Sequence, residues 1–163
     1  MNLAAQRLYI MQITFDSITS NNTQNTKATE VHDYCNIVSA ILHKGRTGKF
    51  SIAYGFVTND DTSFVAYGSL SSDKSAEFTV KRMVQLLVKS AGADTAKAIF
   101  DKCNDDTVDT YEDLAKELLT KLDKSLSKNN VKVWVDRVKE GDYWNVKWYF
   151  DKPVPTAAES IQV

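Results

Sequence analysis

The chain has 163 residues, of which 43% are apolar and 25% are charged, a balance typical of a single soluble globular domain. Its net charge of -1 excludes a histone-like protein that binds polyanions through bulk charge, although a local basic surface is compatible with a neutral total. Because no run of about 18 apolar residues is present and the N-terminus lacks a signal-peptide pattern, we expect a cytoplasmic protein without membrane contact.

The N-terminal part of the chain changes character within its first 30 residues. Residues 6–15 are apolar and rich in β-forming side chains, so they predict a short strand. Residues 16–30 are polar and rich in Asn and Thr, a composition that fits either a linker or an ordered surface loop. We expect residues 1–32 to form an addition to the main domain.

Three strands are predicted in the next part of the chain, over residues 34–43, 50–57 and 63–70. The first two are separated by a glycine-containing turn at 44–49, and the last two by the polar turn 59–62. This pattern favours a three-stranded antiparallel meander.

Helical signals follow from residue 71 onward. N-cap residues at 71–75 precede apolar positions with helical spacing, and Gly92 is a good C-terminal stop. A second helix is predicted over 94–102. A third is predicted to start near Asp109 and to carry the leucines at 114, 118, 119 and 122. The expected helical insertion spans residues 73–128.

The last two predicted strands have the clearest alternation in the chain. Val131, Val133 and Val135 occupy alternate positions, and after a turn at 139–142 the apolar positions 144, 146, 148 and 150 alternate with polar and tyrosine residues. We therefore expect an α+β, mainly β domain over 33–152, with a flexible tail at 153–163. Its element order fits an OB-fold-like five-stranded barrel with helices between the third and fourth strands and an extra N-terminal strand. Other α+β arrangements share this order.

Cysteine and histidine residues give no indication of catalytic chemistry. Cys35 and Cys103 lack the spacing of a redox pair, and with His32 and His43 they do not form a zinc pattern. No sequence motif of a hydrolase, P-loop or zinc protease is present. We expect a protein that is not an enzyme and that needs no cofactor and no metal.

The final hairpin carries the first candidate binding surface. If its valines face the core, the opposite face presents aromatic side chains interleaved with lysines, a composition that suits single-stranded nucleic acid because rings stack on bases and lysines contact phosphates. The same rings would also suit packing under another element or against a second subunit. The candidate residues are Lys132, Trp134, Tyr143, Lys147 and Tyr149.

The turn at 44–49 is the second candidate. Lys44, Arg46 and Lys49 bring three positive charges together with two glycines, which allow close backbone approach to phosphate. A solvated hairpin turn is the alternative interpretation. Segment 103–127 carries an excess of negative charge, so we expect the helical insertion to face away from a polyanion.

From Asp33 to Phe150 the chain resembles a family of small phage-encoded proteins related to single-stranded-DNA-binding proteins. Three stretches carry the resemblance, namely the strand–turn–strand around 44–49, the segment 70–94 that ends in Gly-x-Asp, and the stretch from Val-Lys-Val-Trp-Val to Gly-Asp-Tyr-Trp-Asn-Val-Lys-Trp. The resemblance implies an OB-fold and binding of single-stranded DNA in replication or recombination. It also implies partners among replication or recombination proteins.

Two further functions remain open from the residues. The same exposed aromatic side chains would serve a protein-interaction module, such as a phage factor that binds a host or phage protein. The second open function is that of a virion or assembly protein that uses the Asn/Thr-rich segment as an arm. An edge strand of a partly open barrel would also allow a homodimer.

Overall fold

The computed structural model describes residues 30–154, which form five strands and three helices. The strands are β1 (Val31–Lys44), β2 (Phe50–Val57), β3 (Ser63–Ser69), β4 (Val131–Glu140) and β5 (Tyr143–Tyr149). The helices are α1 (Asp73–Ala91), α2 (Ala93–Cys103) and α3 (Tyr111–Lys128). The predicted order of these elements and the extent of the helical insertion are confirmed. The predicted strand at 6–15, most of the Asn/Thr-rich segment and the end of the tail lie outside the described residues.

The helices begin and end where the sequence places caps. The Ser72 side chain accepts a hydrogen bond from the backbone N–H of Ser75, and the Ser75 side chain accepts one from the backbone N–H of Ser72, which forms a capping box. Gly92 ends α1 with a φ of 92°, a conformation that suits glycine. Thr110 caps α3 by accepting from the backbone N–H of Asp113.

The sheet is antiparallel and has the order β3-β2-β1-β4-β5. In this order β4 returns through the helical insertion to lie beside β1, which is the Greek-key arrangement of four strands. The predicted α+β fold with a five-stranded antiparallel sheet is therefore confirmed. The sheet is not closed into a barrel, because β3 and β5 are its two edges.

Strand β1 is longer than predicted and serves both halves of the sheet. Its start at Val31 precedes the predicted start because His32 lies beside β4, with its Nδ1 atom 2.8 Å from Oδ1 of Asp136. Its later residues pair with β2, and the register shifts between Ile37 and Ser39. This irregularity is a bulge, which bends a strand and increases its twist.

A carboxylate from a helix stabilises β1 next to this bulge. The backbone N–H of Ala40 donates a hydrogen bond of 3.0 Å to Oδ1 of Asp123 on α3. Asp123 is buried, with 6% of its surface exposed, so the bond forms away from solvent, where an unpaired amide is costly. The helical insertion is thereby tied to the strand on which the sheet depends.

The core lies between the inner face of the sheet and helices α1 and α3. The Trp148 ring of β5 contacts rings of β2, with centroids 5.5 Å from Tyr54 and 6.2 Å from Phe56. The two helices pack together through apolar side chains and through the Ser90 and Ser125 hydroxyls, which are 2.6 Å apart. The largest fully buried helical side chains are Met83, Leu86, Leu87, Leu118, Leu122 and Leu126.

We call the gap between the edge strands β3 and β5 the seam. Arginine side chains lie along it where a barrel would have a hydrogen-bond ladder. Arg82 of α1 donates to the Trp148 carbonyl oxygen at 2.6 Å, and its guanidinium carbon lies 3.8 Å from the centre of the Trp148 ring. Arg137 of β4 lies over the Phe64 ring of β3 at 4.9 Å. Cation–π contacts thus join α1 to the edge strand β5 and β4 to the edge strand β3.

Replacing Asp123 with Ala is expected to lower the free energy of unfolding by roughly 1–3 kcal/mol, because the buried Ala40 amide loses its acceptor. Asp123→Asn keeps an acceptor oxygen and is expected to lose less. Urea unfolding followed by circular dichroism measures both, with Lys124→Ala, an exposed neighbour on α3, as the control. A loss for Asp123→Ala no larger than that of the control would contradict the role of this bond.

Candidate nucleic-acid interface

The five candidate residues of the last hairpin lie on one side of it, as predicted. Cross-strand pairs place Trp134 opposite Tyr149 and Glu140 opposite Tyr143, while Val133 and Val135 are buried on the other side. We call this outward surface the hairpin face. It consists of Lys132, Trp134, Tyr143, Lys147 and Tyr149.

The Trp134 ring is partly occupied by neighbours. Tyr34 meets it edge-on at a centroid distance of 5.2 Å, and the Lys152 ammonium lies 4.9 Å from its centre. Its Nε1–H donates to Oδ1 of Asp136 at 3.2 Å. A base that stacked on Trp134 would have to displace Lys152.

The hairpin face is also less basic than the sequence suggested. Asp136 lies opposite Lys147 in the β4–β5 register, so a carboxylate neighbours one of the two candidate lysines. Glu140 accepts a hydrogen bond from the Asn145 amide at 3.2 Å and adds a second negative charge. These acids lower the local attraction for phosphate.

The basic turn, residues 44–49, has a fixed backbone. The Gly45 N–H donates to the Lys49 carbonyl at 2.8 Å, and Gly48 adopts a φ of 81°, which only glycine adopts readily. Lys44 lies over the Phe50 ring at 5.9 Å, on the inner side of the sheet. Arg46 is exposed.

Lys49 is exposed and borders a cavity of about 320 Å³ that Phe50 and Ser72 also line. All three cations of the turn, Lys44, Arg46 and Lys49, are therefore exposed to an outside ligand.

The structure does not bring the hairpin face and the basic turn into one site. Tyr34, which contacts Trp134, precedes Lys44 by ten residues on β1. At about 3.3 Å per residue the two regions are up to about 30 Å apart along the strand. A ligand that touched both would have to follow the length of β1.

A second outward surface lies next to the basic turn, and the sequence pattern did not indicate it. Tyr67 is 58% exposed, and its ring centroid is 4.9 Å from that of His43, with the planes inclined by 49°. We call this surface the meander face. It consists of Ile41 and His43 of β1, Ala53 and Gly55 of β2, and Val65 and Tyr67 of β3.

The centre of the meander face carries only small residues and forms a depression. Ala53 lies between Ile41 and Tyr67 in the strand register, and Gly55 is the next outward residue of β2. A Cβ atom at Gly55 would lie 2.3 Å from Oγ of Ser39, so a larger residue at this position would require the Ser39 side chain to move. The larger side chains of β1 and β3 thus flank a shallow trough.

Neither cysteine is arranged as a nucleophile. Cys35 is 2% exposed, and burial, followed by the charges of Asp33 and Asp60, raises the pKa of its thiol to about 11. Burial, followed by the charge of Glu117, also raises the pKa of Cys103. Both cysteines are free thiols.

Residues 30–154 contain neither a metal-binding cluster nor a membrane-spanning helix. In this part of the chain no group of His, Cys, Asp and Glu residues is arranged to hold a metal ion. Within the same range, no helix combines the length and the apolar character needed to cross a membrane.

Comparison of the chain with protein-family models, with curated proteins and with solved structures finds no match.

At pH 8, iodoacetamide is expected to modify Cys103 at least tenfold faster than Cys35. The thiolate is the reacting form, and Cys35 combines a pKa of about 11 with near-complete burial. Mass spectrometry of peptides after timed quenching measures both rates. Equal rates in the native protein would contradict the burial and the raised pKa of Cys35. In urea the two rates are expected to become equal, which serves as the control.

Proposed function

We propose that the chain is a non-catalytic single-stranded-DNA-binding protein. The observation that carries the proposal is the pair of exposed rings, Tyr67 and His43, on an open sheet face beside the turn that holds Arg46. Single-strand binders combine stacking rings with nearby cations, because every base has a ring face and every nucleotide has a phosphate.

The finer fold proposed with this function is a partly open OB barrel. The Greek-key order of β1–β4 and the position of the helices between β3 and β4 support it. In OB-folds, the outward face of the second and third strands and the loop between the first and second strands bind oligonucleotides. The corresponding parts of this chain are the meander face and the basic turn.

On this proposal, bases stack on Tyr67 and His43 and their sugars contact the aliphatic side chains of Ile41 and Val65. Arg46 and Lys49 contact phosphates, while Lys44 adds charge near the turn. The hairpin face is a second segment of the path, reached along β1, where Tyr143 is 66% exposed and available for stacking. Lys132, Lys147 and Tyr149 neighbour it on that face.

The setting proposed for this activity is the replication or recombination of a phage genome. Its support is the sequence resemblance of residues 33–150. Replication or recombination proteins are the partners that this setting implies.

A protein-interaction module is the second candidate. It is favoured by the exposed aliphatic side chains of the meander face, since Ile41 is 51% and Val65 is 43% exposed. Exposed apolar side chains of this size are typical of protein-binding surfaces when they are contiguous. The DNA-binding experiment below separates the two candidates.

Replacing Tyr67 with Ala is expected to weaken binding of a fluorescein-labelled thymidine oligonucleotide roughly tenfold or more, because stacking contributes about 1–3 kcal/mol per base. Fluorescence anisotropy titration at low salt measures the affinity. Tyr111→Ala is the matched control, since Tyr111 is also exposed but begins α3 in the acidic insertion. Tyr143→Ala reports separately on the hairpin face.

If the wild-type chain does not bind the oligonucleotide even at low salt, the DNA-binding function is excluded and a protein partner is favoured. A loss with Tyr143→Ala and none with Tyr67→Ala would place the bases on the hairpin face alone. Equal losses with Tyr67→Ala and Tyr111→Ala would show that the meander face has no specific role.

Arg46→Gln is expected to reduce the salt dependence of this affinity. Each phosphate neutralised on a single strand contributes about 0.7 to the slope of log affinity against log salt. Titrations between low and moderate sodium chloride measure the slope, with Lys97→Gln on α2, which is paired with Asp101, as the control. An unchanged slope for Arg46→Gln would show that Arg46 does not contact a phosphate.

A further inference from the structure

Arg137 is the most unusual charged residue of the sheet. It follows the buried valines of β4 on the inner face and is only 9% exposed. Its guanidinium carbon lies 4.9 Å from the centre of the Phe64 ring of β3 and 4.3 Å from that of Trp144 of β5. It therefore lies at the seam, in contact with rings from both edge strands.

The donors of Arg137 have no partner within residues 30–154. Its Nε atom is fully buried without a hydrogen bond, and no carboxylate in this range forms an ion pair with it. Burial lowers the pKa of Arg137. Arg82, the other arginine of the seam, instead donates to the Trp148 carbonyl.

Ring contacts do not replace the missing hydrogen bonds. A ring stacked on a guanidinium interacts with its face, whereas the five N–H groups point outward in its plane. A buried guanidinium without an acceptor is costly, and a native protein that retains one calls for an explanation such as a bound ion. The terminal nitrogens of Arg137, unlike Nε, are not among the fully buried unpaired atoms, so they are the donors that remain open to a ligand.

The geometry points to Arg137 as the centre of an anion site at the seam that takes an oxyanion of the phosphate type. Two oxygens of one phosphate group match two parallel N–H donors of a guanidinium, and this bidentate pairing is among the strongest charge-assisted hydrogen bonds. Phe64 and Trp144 position the guanidinium for it. The phosphate group comes either from a DNA strand or from a free phosphate, and the site does not depend on the proposed function.

The first test uses the full chain and inorganic phosphate. Thermal unfolding in sodium phosphate is compared with unfolding in sodium chloride at the same pH and ionic strength. We expect phosphate to raise the Tm in a saturable manner, because a ligand that binds only the folded state stabilises it. Arg137→Lys keeps the positive charge and is expected to weaken phosphate binding roughly tenfold or more, while Lys97→Gln, at an exposed residue paired with Asp101 on α2, is expected to leave it unchanged.

The second measurement does not depend on the stability of a variant. The Nε–H resonance of Arg137 in the ¹⁵N-labelled wild-type chain, assigned by its loss in Arg137→Lys, is expected to shift on addition of phosphate and not of chloride. A fluorescence change from Trp144 is expected to follow the same titration curve. Equal Tm values in phosphate and chloride with an unshifted Nε–H resonance, or undiminished binding by Arg137→Lys, would overturn the proposal.

Oligonucleotides distinguish the two sources of the phosphate group. If a thymidine oligonucleotide shifts the Arg137 resonance and inorganic phosphate competes with it, the DNA strand supplies the ligand. If only inorganic phosphate shifts the resonance, the ligand is free phosphate. Phosphate binding at Arg137 in a chain that binds no oligonucleotide would remove the proposed function and leave the anion site in place.

Discussion

The shared strand β1 is the element on which the rest of the structure depends. It lies between β2 and β4 in the sheet, pairs with β2 from Asn36 to Lys44, and has an irregular register between Ile37 and Ser39. A bulge disrupts the hydrogen-bond ladder locally and leaves backbone groups to be satisfied in other ways. The Ala40–Asp123 hydrogen bond satisfies one of them, so the position of α3 and the course of β1 are fixed together.

The edges of the sheet are joined by side chains, and this has a consequence for where ligands can bind. Arg82 contacts both the backbone and the ring of Trp148, whereas Arg137 contacts only the rings of Phe64 and Trp144. One arginine thus completes the fold and the other retains its hydrogen-bonding capacity. The outward meander face and the inward Arg137 site are physically separate surfaces, so the two proposals can be tested independently.

Much of the fold could be predicted from local patterns, because strand alternation, helix caps and turn residues act over a few positions. The two sides of β4 and β5 followed from the alternation of Val131, Val133 and Val135. The meander face could not be found this way, because both sets of alternate residues in β3 are largely apolar and only the pairing with β2 places Tyr67 outward. The contact of Lys152 with Trp134 and the burial of Arg137 depend on long-range packing, which a local pattern does not contain.

The contacts that hold β1 in place join residues far apart in sequence, and this affects how the protein folds. The β2–β3 hairpin, the β4–β5 hairpin and the paired helices all join neighbouring segments, whereas the Ala40–Asp123 bond spans 83 residues and the His32–Asp136 contact spans 104. Closing such long loops costs chain entropy before any contact offsets it. We therefore expect the local units to form first and the docking of β4 onto β1 to limit the folding rate. Until that step one edge of β1 is unpaired, so we expect the nascent chain to be most vulnerable to aggregation while β4 is still being synthesised.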